Sequence, residues 1–118
     1  MGEGSPGRED AVLAVDGIGS ACVVRLQGEL DLYTADQVRS ALGDAAGGGP
    51  QRVIVDLTRV EFVDSTVLGV LVGARSALPA GALRLAAPQL EVRRALMVSG
   101  LDRTLPVHDT VDEALAAD

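Results

Sequence analysis

The chain has 118 residues, enough for one domain around one core. Tyr33 and Phe62 are its only aromatic residues, too few for a base-stacking platform, and a formal net charge of −7 is the wrong sign for a nucleic-acid binder. The absence of Lys excludes a P-loop and Schiff-base chemistry, and a lone Cys22 and a lone His108 exclude a zinc site and a disulfide framework.

Residues 1–10 (MGEGSPGRED) are rich in Gly, Pro and charge and read as a mobile tail, leaving 11–118 as the single domain. No basic, then apolar, leader is visible, and no apolar run approaches the ~20 residues that span a bilayer. A cytoplasmic protein that touches neither membrane nor nucleic acid is the expectation.

Ala11 to Val15 reads as a short strand and Asp16-Gly17 as a turn signal, with Gly19-Ser20 extending the loop. Cys22 to Leu30 alternates, with Val24, Leu26, Gly28 and Leu30 on one face. The two strands are expected to pair as an antiparallel hairpin, with Cys22 as a small core residue rather than a nucleophile. Thr34 begins a helix, and Gln37 three residues on suggests a capping box. Val38, Ala41, Leu42 and Ala45 form its apolar stripe, and Gly47-Gly48-Gly49-Pro50 ends it.

Val53-Ile54-Val55 reads as a strand buried on both faces. Val67 to Leu78 is apolar almost all round, and its length favours a buried helix. Gly69 and Gly73, four apart, share one face and would let a neighbouring element approach closely. Asp64-Ser65-Thr66, three short polar residues before that run, form a helix N-terminus. Free backbone N–H groups and a positive partial charge there suit a phosphate carried on Ser65 or Thr66. Taken alone, the same triplet is an ordinary cap.

Ala82 to Ala86 is the next strand. Pro88 opens a helix over Gln89 to Ser99 that Gly100 stops. Leu105 to Val107 is a last short strand, with Pro106 marking an edge or an end. Thr110 and Glu113 form a capping box for a final helix. The order β-β-α-β-α-β-α-β-α implies an α/β fold: a mixed sheet of four or five strands, beginning with an antiparallel hairpin, with about four helices mainly on one side.

The stretch Val53-Ile54-Val55-Asp56-Leu57 followed by Phe62-Val63-Asp64-Ser65-Thr66-Val67-Leu68-Gly69 resembles the signature of bacterial anti-sigma factor antagonists of the STAS domain family. Gly28-Glu29-Leu30-Asp31 with Thr34, and the ending Thr110-Val111-Asp112-Glu113-Ala114-Leu115, resemble the same family, so the likeness covers residues 11 to 117. It implies a non-enzymatic switch without cofactor or metal. Such a protein binds an anti-sigma factor with serine kinase activity and so frees a sigma factor. Phosphorylation ends the binding, and a phosphatase restores it. Carried over, the phosphoacceptor is Ser65, and Asp31, Asp64, Thr66, Val67 and Gly69 are candidate partner contacts. Gly28 to Asp31 reads equally well as a plain strand end and turn.

The family's usual Gly after the triplet is Val67 here. Set in the first turn with its side chain outward, Val67 would narrow the choice of partner. Two alternatives stay open. One is a STAS module serving as a non-switching scaffold in a larger signalling or transport complex. The other is a receiver-like phosphoaspartate domain using Asp56, against which stand the missing Lys and a solitary Asp16. A Ser-His-Asp hydrolase finds no G-x-S-x-G here.

Overall fold

The computed structural model describes residues 10–117. The mobile tail expected over 1–10 therefore lies, apart from Asp10, outside the described residues. Among the described residues five strands form one sheet in the order β1 (Val12–Ile18), β2 (Ala21–Leu30), β3 (Arg52–Val63), β4 (Leu83–Ala86) and β5 (Val107–His108). β1 runs antiparallel to β2, and the remaining neighbours are parallel. Four α-helices connect and close the sheet: α1 (Ala35–Gly47), α2 (Ser65–Ser76), α3 (Leu90–Ser99) and α4 (Val111–Ala116).

The alternation of side chains along the strands divides the core in two. Val24, Leu26, Val53, Val55, Leu57, Leu83 and Leu85 face α1, α2 and α3 and form the main core. Val23, Ile54 and Ala86 point the other way and meet Ala114 of α4 in a smaller cluster. Three helices thus share one face and α4 alone covers the other. Arg52 Nη1 donates to Leu115 O at 2.6 Å and Arg84 Nη1 to Ala117 O at 2.9 Å, fastening the end of α4 to the sheet.

Four local expectations shift. The hairpin turn is confined to Gly19-Ser20, the end of the expected loop, while Asp16 and Gly17 stay in β1. The ladder continues to the pair Ile18–Ala21, and Gly19 takes the left-handed φ of 60° that the tight reversal needs. Thr34 does cap α1 by position, but the capping box does not form. Gln37 Oε1 instead accepts from Ala11 N at 2.8 Å, so a long-range bond to the start of β1 displaces the local one. The strand expected over Val53-Ile54-Val55 does not stop at Val55. It runs on to Val63 beside β2 alone, with two register irregularities, and delivers the chain directly to α2. Pro88 precedes the cap residue Gln89 instead of opening α3. Gly100, at φ 80°, stops α3 as expected, and Thr110 Oγ1 accepts from Glu113 N at 3.0 Å at the start of α4.

Candidate functional site

β2 and β3 outrun β4, which pairs only with Val53–Asp56 of β3. Their far ends, paired through Leu30 and Val63, carry the two loops from which α1 and α2 begin. Asp64 joins those loops. Its backbone N–H donates to Leu30 O at 3.0 Å. One carboxylate oxygen accepts from Val67 N at 3.1 Å and caps α2; the other accepts from Leu32 N at 3.1 Å. Two donors from different segments therefore share one side chain, each on its own oxygen.

Ser65 is the first residue of α2 and is exposed. Its position, one residue past the cap, puts its hydroxyl at the positive end of the helix beside the Asp64 carboxylate. Thr66 is half-buried and lines an open groove of about 530 Å³ between α1 and α2, with Leu42, Gly43, Gly69, Val70 and Gly73. Gly69 and Gly73 do not serve a close helix crossing, as their spacing suggested. A Cβ at either would meet nothing within 4 Å, so they open the groove instead.

Asp31 is turned into its own loop. Its Oδ1 accepts from Tyr33 N at 2.9 Å and Thr34 N at 3.3 Å, while its backbone N–H donates to Thr34 Oγ1 at 2.9 Å. The plain strand-end-and-turn reading of this stretch describes that geometry. Asp31 shapes the loop that Asp64 then holds.

Val67 requires a correction. Its side chain is 0% exposed, packed in the main core with Val70 and Leu71, and it does not point outward beside Ser65. α2 lies on the sheet, and positions i, i+3 and i+4 from Val67 form its inward stripe. A buried valine touches no partner, so the proposed narrowing of partner choice by Val67 falls with the orientation on which it rested.

The Asp56 alternative fails on geometry. Asp56 is buried, with Oδ2 accepting from Arg25 Nη1 at 2.8 Å and Oδ1 accepting from Thr58 N at 3.0 Å and Thr58 Oγ1 at 2.5 Å. Burial pushes this carboxyl upward, but the Thr58 and Arg25 hydrogen bonds together outweigh it and hold the group below its ordinary value. Arg25 also donates from Nε to Asp16 Oδ2 at 2.9 Å, and the two carboxylates hold its guanidinium charged. Asp16 and Asp56 thus anchor an arginine across three strands, and both Asp56 oxygens are engaged in doing so or in holding Thr58. Burial, reinforced by Asp16, pushes the Cys22 thiol upward and away from reactivity.

Three apolar residues at this end were not taken as site residues from the sequence, and Tyr33, which with Val38 fitted a hydrophobic staple for α1, is exposed. Leu32 and Tyr33, in the loop after β2, are 64% and 73% exposed, and Phe62, near the end of β3, is 50% exposed. The available signal was that the chain's only two aromatics both lie close in sequence to Asp31 or Asp64.

A five-stranded mixed sheet with three helices on one face and one on the other, and an exposed serine beside an aspartate cap, define a small α/β module. The chain belongs to the STAS domain family, whose model matches residues 12–114. It is 32% identical over 96 residues to an anti-sigma F factor antagonist of Paenibacillus polymyxa, covering 79% of this chain and 82% of that one. A crystal structure of an anti-sigma factor antagonist from Mycobacterium paratuberculosis superposes with a TM-score of 0.81 at 31% identity, covering 86% of this chain and 88% of that one. The Bacillus cell fate determinant SpoIIAA in its phosphorylated form superposes with a TM-score of 0.64 at 28% identity, covering 86% and 95%. No helix among the described residues is long and apolar enough to cross a membrane.

Proposed function

We propose that this chain is an anti-sigma factor antagonist acting in the cytoplasm by binding rather than catalysis. It binds an anti-sigma factor with serine kinase activity and so releases a sigma factor. Ser65 is the phosphoacceptor, and a phosphatase acting on it resets the switch. The observation that carries this reading is the exposed Ser65 at the head of α2, next to a cap that ties both neighbouring loops. The names of the relatives support the partner class.

The chemistry follows from charge. A phosphate on Ser65 adds about −1.5 to −2 charge at pH 7. A partner that phosphorylates Ser65 holds a nucleotide polyphosphate opposite it, so the new charge faces another negative group. At ~5 Å and an effective dielectric of 20, each unit of like charge costs about 3 kcal/mol. Even half of that, after screening, is roughly a tenfold loss of affinity. Asp64 positions Ser65, Thr66 and Gly69 offer the partner the adjoining groove, and Asp31 shapes the loop beside them.

The test is transfer of label from γ-labelled ATP by purified anti-sigma kinases to the wild type, Ser65→Ala and Thr66→Ala. Label should vanish only in Ser65→Ala and resist hydroxylamine, which cleaves acyl phosphates. Ser65→Ala should bind its kinase without release. Label retained in Ser65→Ala overturns the assignment, and binding without any transfer replaces the switch with a scaffold.

A further inference from the structure

β1 stands at the end of the sheet, and among the described residues only its inner edge is paired. The two-residue turn Gly19-Ser20 closes on the pair Ile18–Ala21. Bonded pairs alternate along an antiparallel ladder, so Ile18, Asp16 and Ala14 turn their N–H and C=O groups to β2, and Val15 and Gly17 turn theirs outward. Edge strands are ordinarily guarded by Lys, Pro, a bulge or a bare charge. β1 has no Lys or Pro, and its one charge, Asp16, accepts from Arg25 Nε at 2.9 Å. Its irregularity, between Val12 and Ala14, affects only the start of the strand. Val15 and Ile18 are 50% and 40% exposed, so the edge is apolar as well as open.

A strand laid against this edge must set outward-facing groups opposite outward-facing groups. A second β1, running antiparallel, meets that condition in few registers. With Val15 opposite Gly17, the two Asp16 carboxylates lie directly opposite each other, which is destabilising. With Val15 opposite Leu13, the irregular stretch lies at the centre. With Gly17 opposite itself, only Asp16 to Ile18 overlap. With Val15 opposite itself, Asp16 of each copy lies opposite Ala14 of the other. Arg25 pairs with Ala14 in its own sheet, so the Arg25 of the second copy then stands next in the row, across one alanine methyl from Asp16. The charges about the two-fold axis alternate in sign, and this register alone combines full overlap with complementary charge.

We propose that two copies of this chain associate through β1 in an antiparallel, two-fold pair centred on Val15, which joins the two five-stranded sheets into one. The opposite edge, β5, is two residues long and offers no comparable ladder, so the association closes as a dimer and does not extend into a fibre. Val15 also lines a groove of about 910 Å³ between β1, β2 and α1, with Val12, Cys22, Gln37 and Ala41. In the pair, Val15 of the second copy packs beside it at the mouth of that groove. A ladder this short buries little area, so the association is weak and set by concentration. β1 lies two strands from β3, which leads to Ser65, so the contact does not use the site proposed above and stands apart from that function.

The experiment is sedimentation equilibrium of the full chain from about 10 μM to 1 mM, with wild type, Val15→Lys and Val98→Ser compared. Val98, 83% exposed on α3, is the apolar control on another element. Wild type and Val98→Ser should show the same monomer–dimer equilibrium. Val15→Lys sets two like charges face to face and should weaken it by about tenfold or more, with an unchanged melting temperature. The register is read by oxidation of Val15→Cys and Ala14→Cys, each in a Cys22→Ser background. Opposed residues of a bonded pair lie about 5.5 Å apart at Cα, within disulfide reach, whereas Ala14 is about 7–8 Å from its counterpart. Val15→Cys should therefore cross-link to a dimer well ahead of Ala14→Cys. Wild type that stays monomeric up to about 1 mM overturns the proposal. So does a dimer that survives Val15→Lys; one lost instead in Val98→Ser would lie on α3. Faster cross-linking of Ala14→Cys overturns the pairing centred on Val15.

Discussion

The Asp64 carboxylate accepts from the backbone N–H of Leu32 at 3.1 Å across 32 positions of sequence while it caps α2 through Val67 N. This dual use separates Asp64 from an ordinary cap. Asn caps helices about as well as Asp, but its side chain has one accepting oxygen and one donating NH2. Asp64→Asn can therefore satisfy Val67 N or Leu32 N, not both. Asp64→Ala should cost about 1–2 kcal/mol of stability, and Asp64→Asn should fall closer to Ala than its rank as a cap implies. Urea unfolding of the three proteins checks this; an Asn variant as stable as wild type would mean that the Leu32 bond contributes nothing.

Val67 sits in the core, so Val67→Gly is a stability variant. It loses a buried side chain and places Gly inside a helix, together about 2–4 kcal/mol. The urea midpoint should drop accordingly. Any loss of phosphorylation at Ser65 should disappear when rates are corrected for the folded fraction.

Arg25 joins Asp16 of β1 to Asp56 of β3. Asp56 has a depressed folded-state value, so its contribution is fully present above the unfolded carboxylate value of about 3.9 and is lost as the pH falls through the lower folded value. Arg25→Met removes one of the bonds that hold the value down while burial still pushes it up. Stability at neutral pH should fall by about 2 kcal/mol, and the acid-induced loss contributed by Asp56 should shrink, because its folded-state value moves back toward the unfolded one. Urea midpoints between about pH 3 and 6 read both effects, and parallel curves for the two proteins would refute the coupling.

Ala87, between β4 and α3, has φ 57°, a left-handed backbone that costs a residue with a Cβ about 1–2 kcal/mol. Glycine removes that cost but has more freedom to lose on folding. Ala87→Gly should therefore be stabilising by a net ~0.5–1 kcal/mol, seen as a higher urea midpoint.

The order of strands and helices was legible because each turn or cap used local chemistry: the Gly-rich end of α1, Gly100 after α3 and Thr110 before α4. Asp64 and Ser65 were legible for the same reason. The errors came where an outcome depended on a distant partner. Gln37 had a local bond available and took Ala11 instead. In the alternation of β2, Arg25 falls on the face opposite Val24 and Leu26, and only the registers of β1 and β3 bring it to Asp16 and Asp56. Val67 was misplaced because α2 is apolar on every side, so its periodicity does not reveal which face meets the sheet.

The lone helix on the far face of the sheet gives the molecule two tiers of protection. α4 contributes mostly small or half-buried contacts, Val111, Ala114 and Leu115, and depends on two arginines that hold its final carbonyls. Such a unit detaches without disturbing the three-helix core. Its amide hydrogens should exchange with deuterium through brief local opening, at rates barely changed by low urea. Those of Val23–Leu26 and Val53–Leu57 should exchange only when the whole domain unfolds. A continuous apolar layer would have merged the two tiers into one.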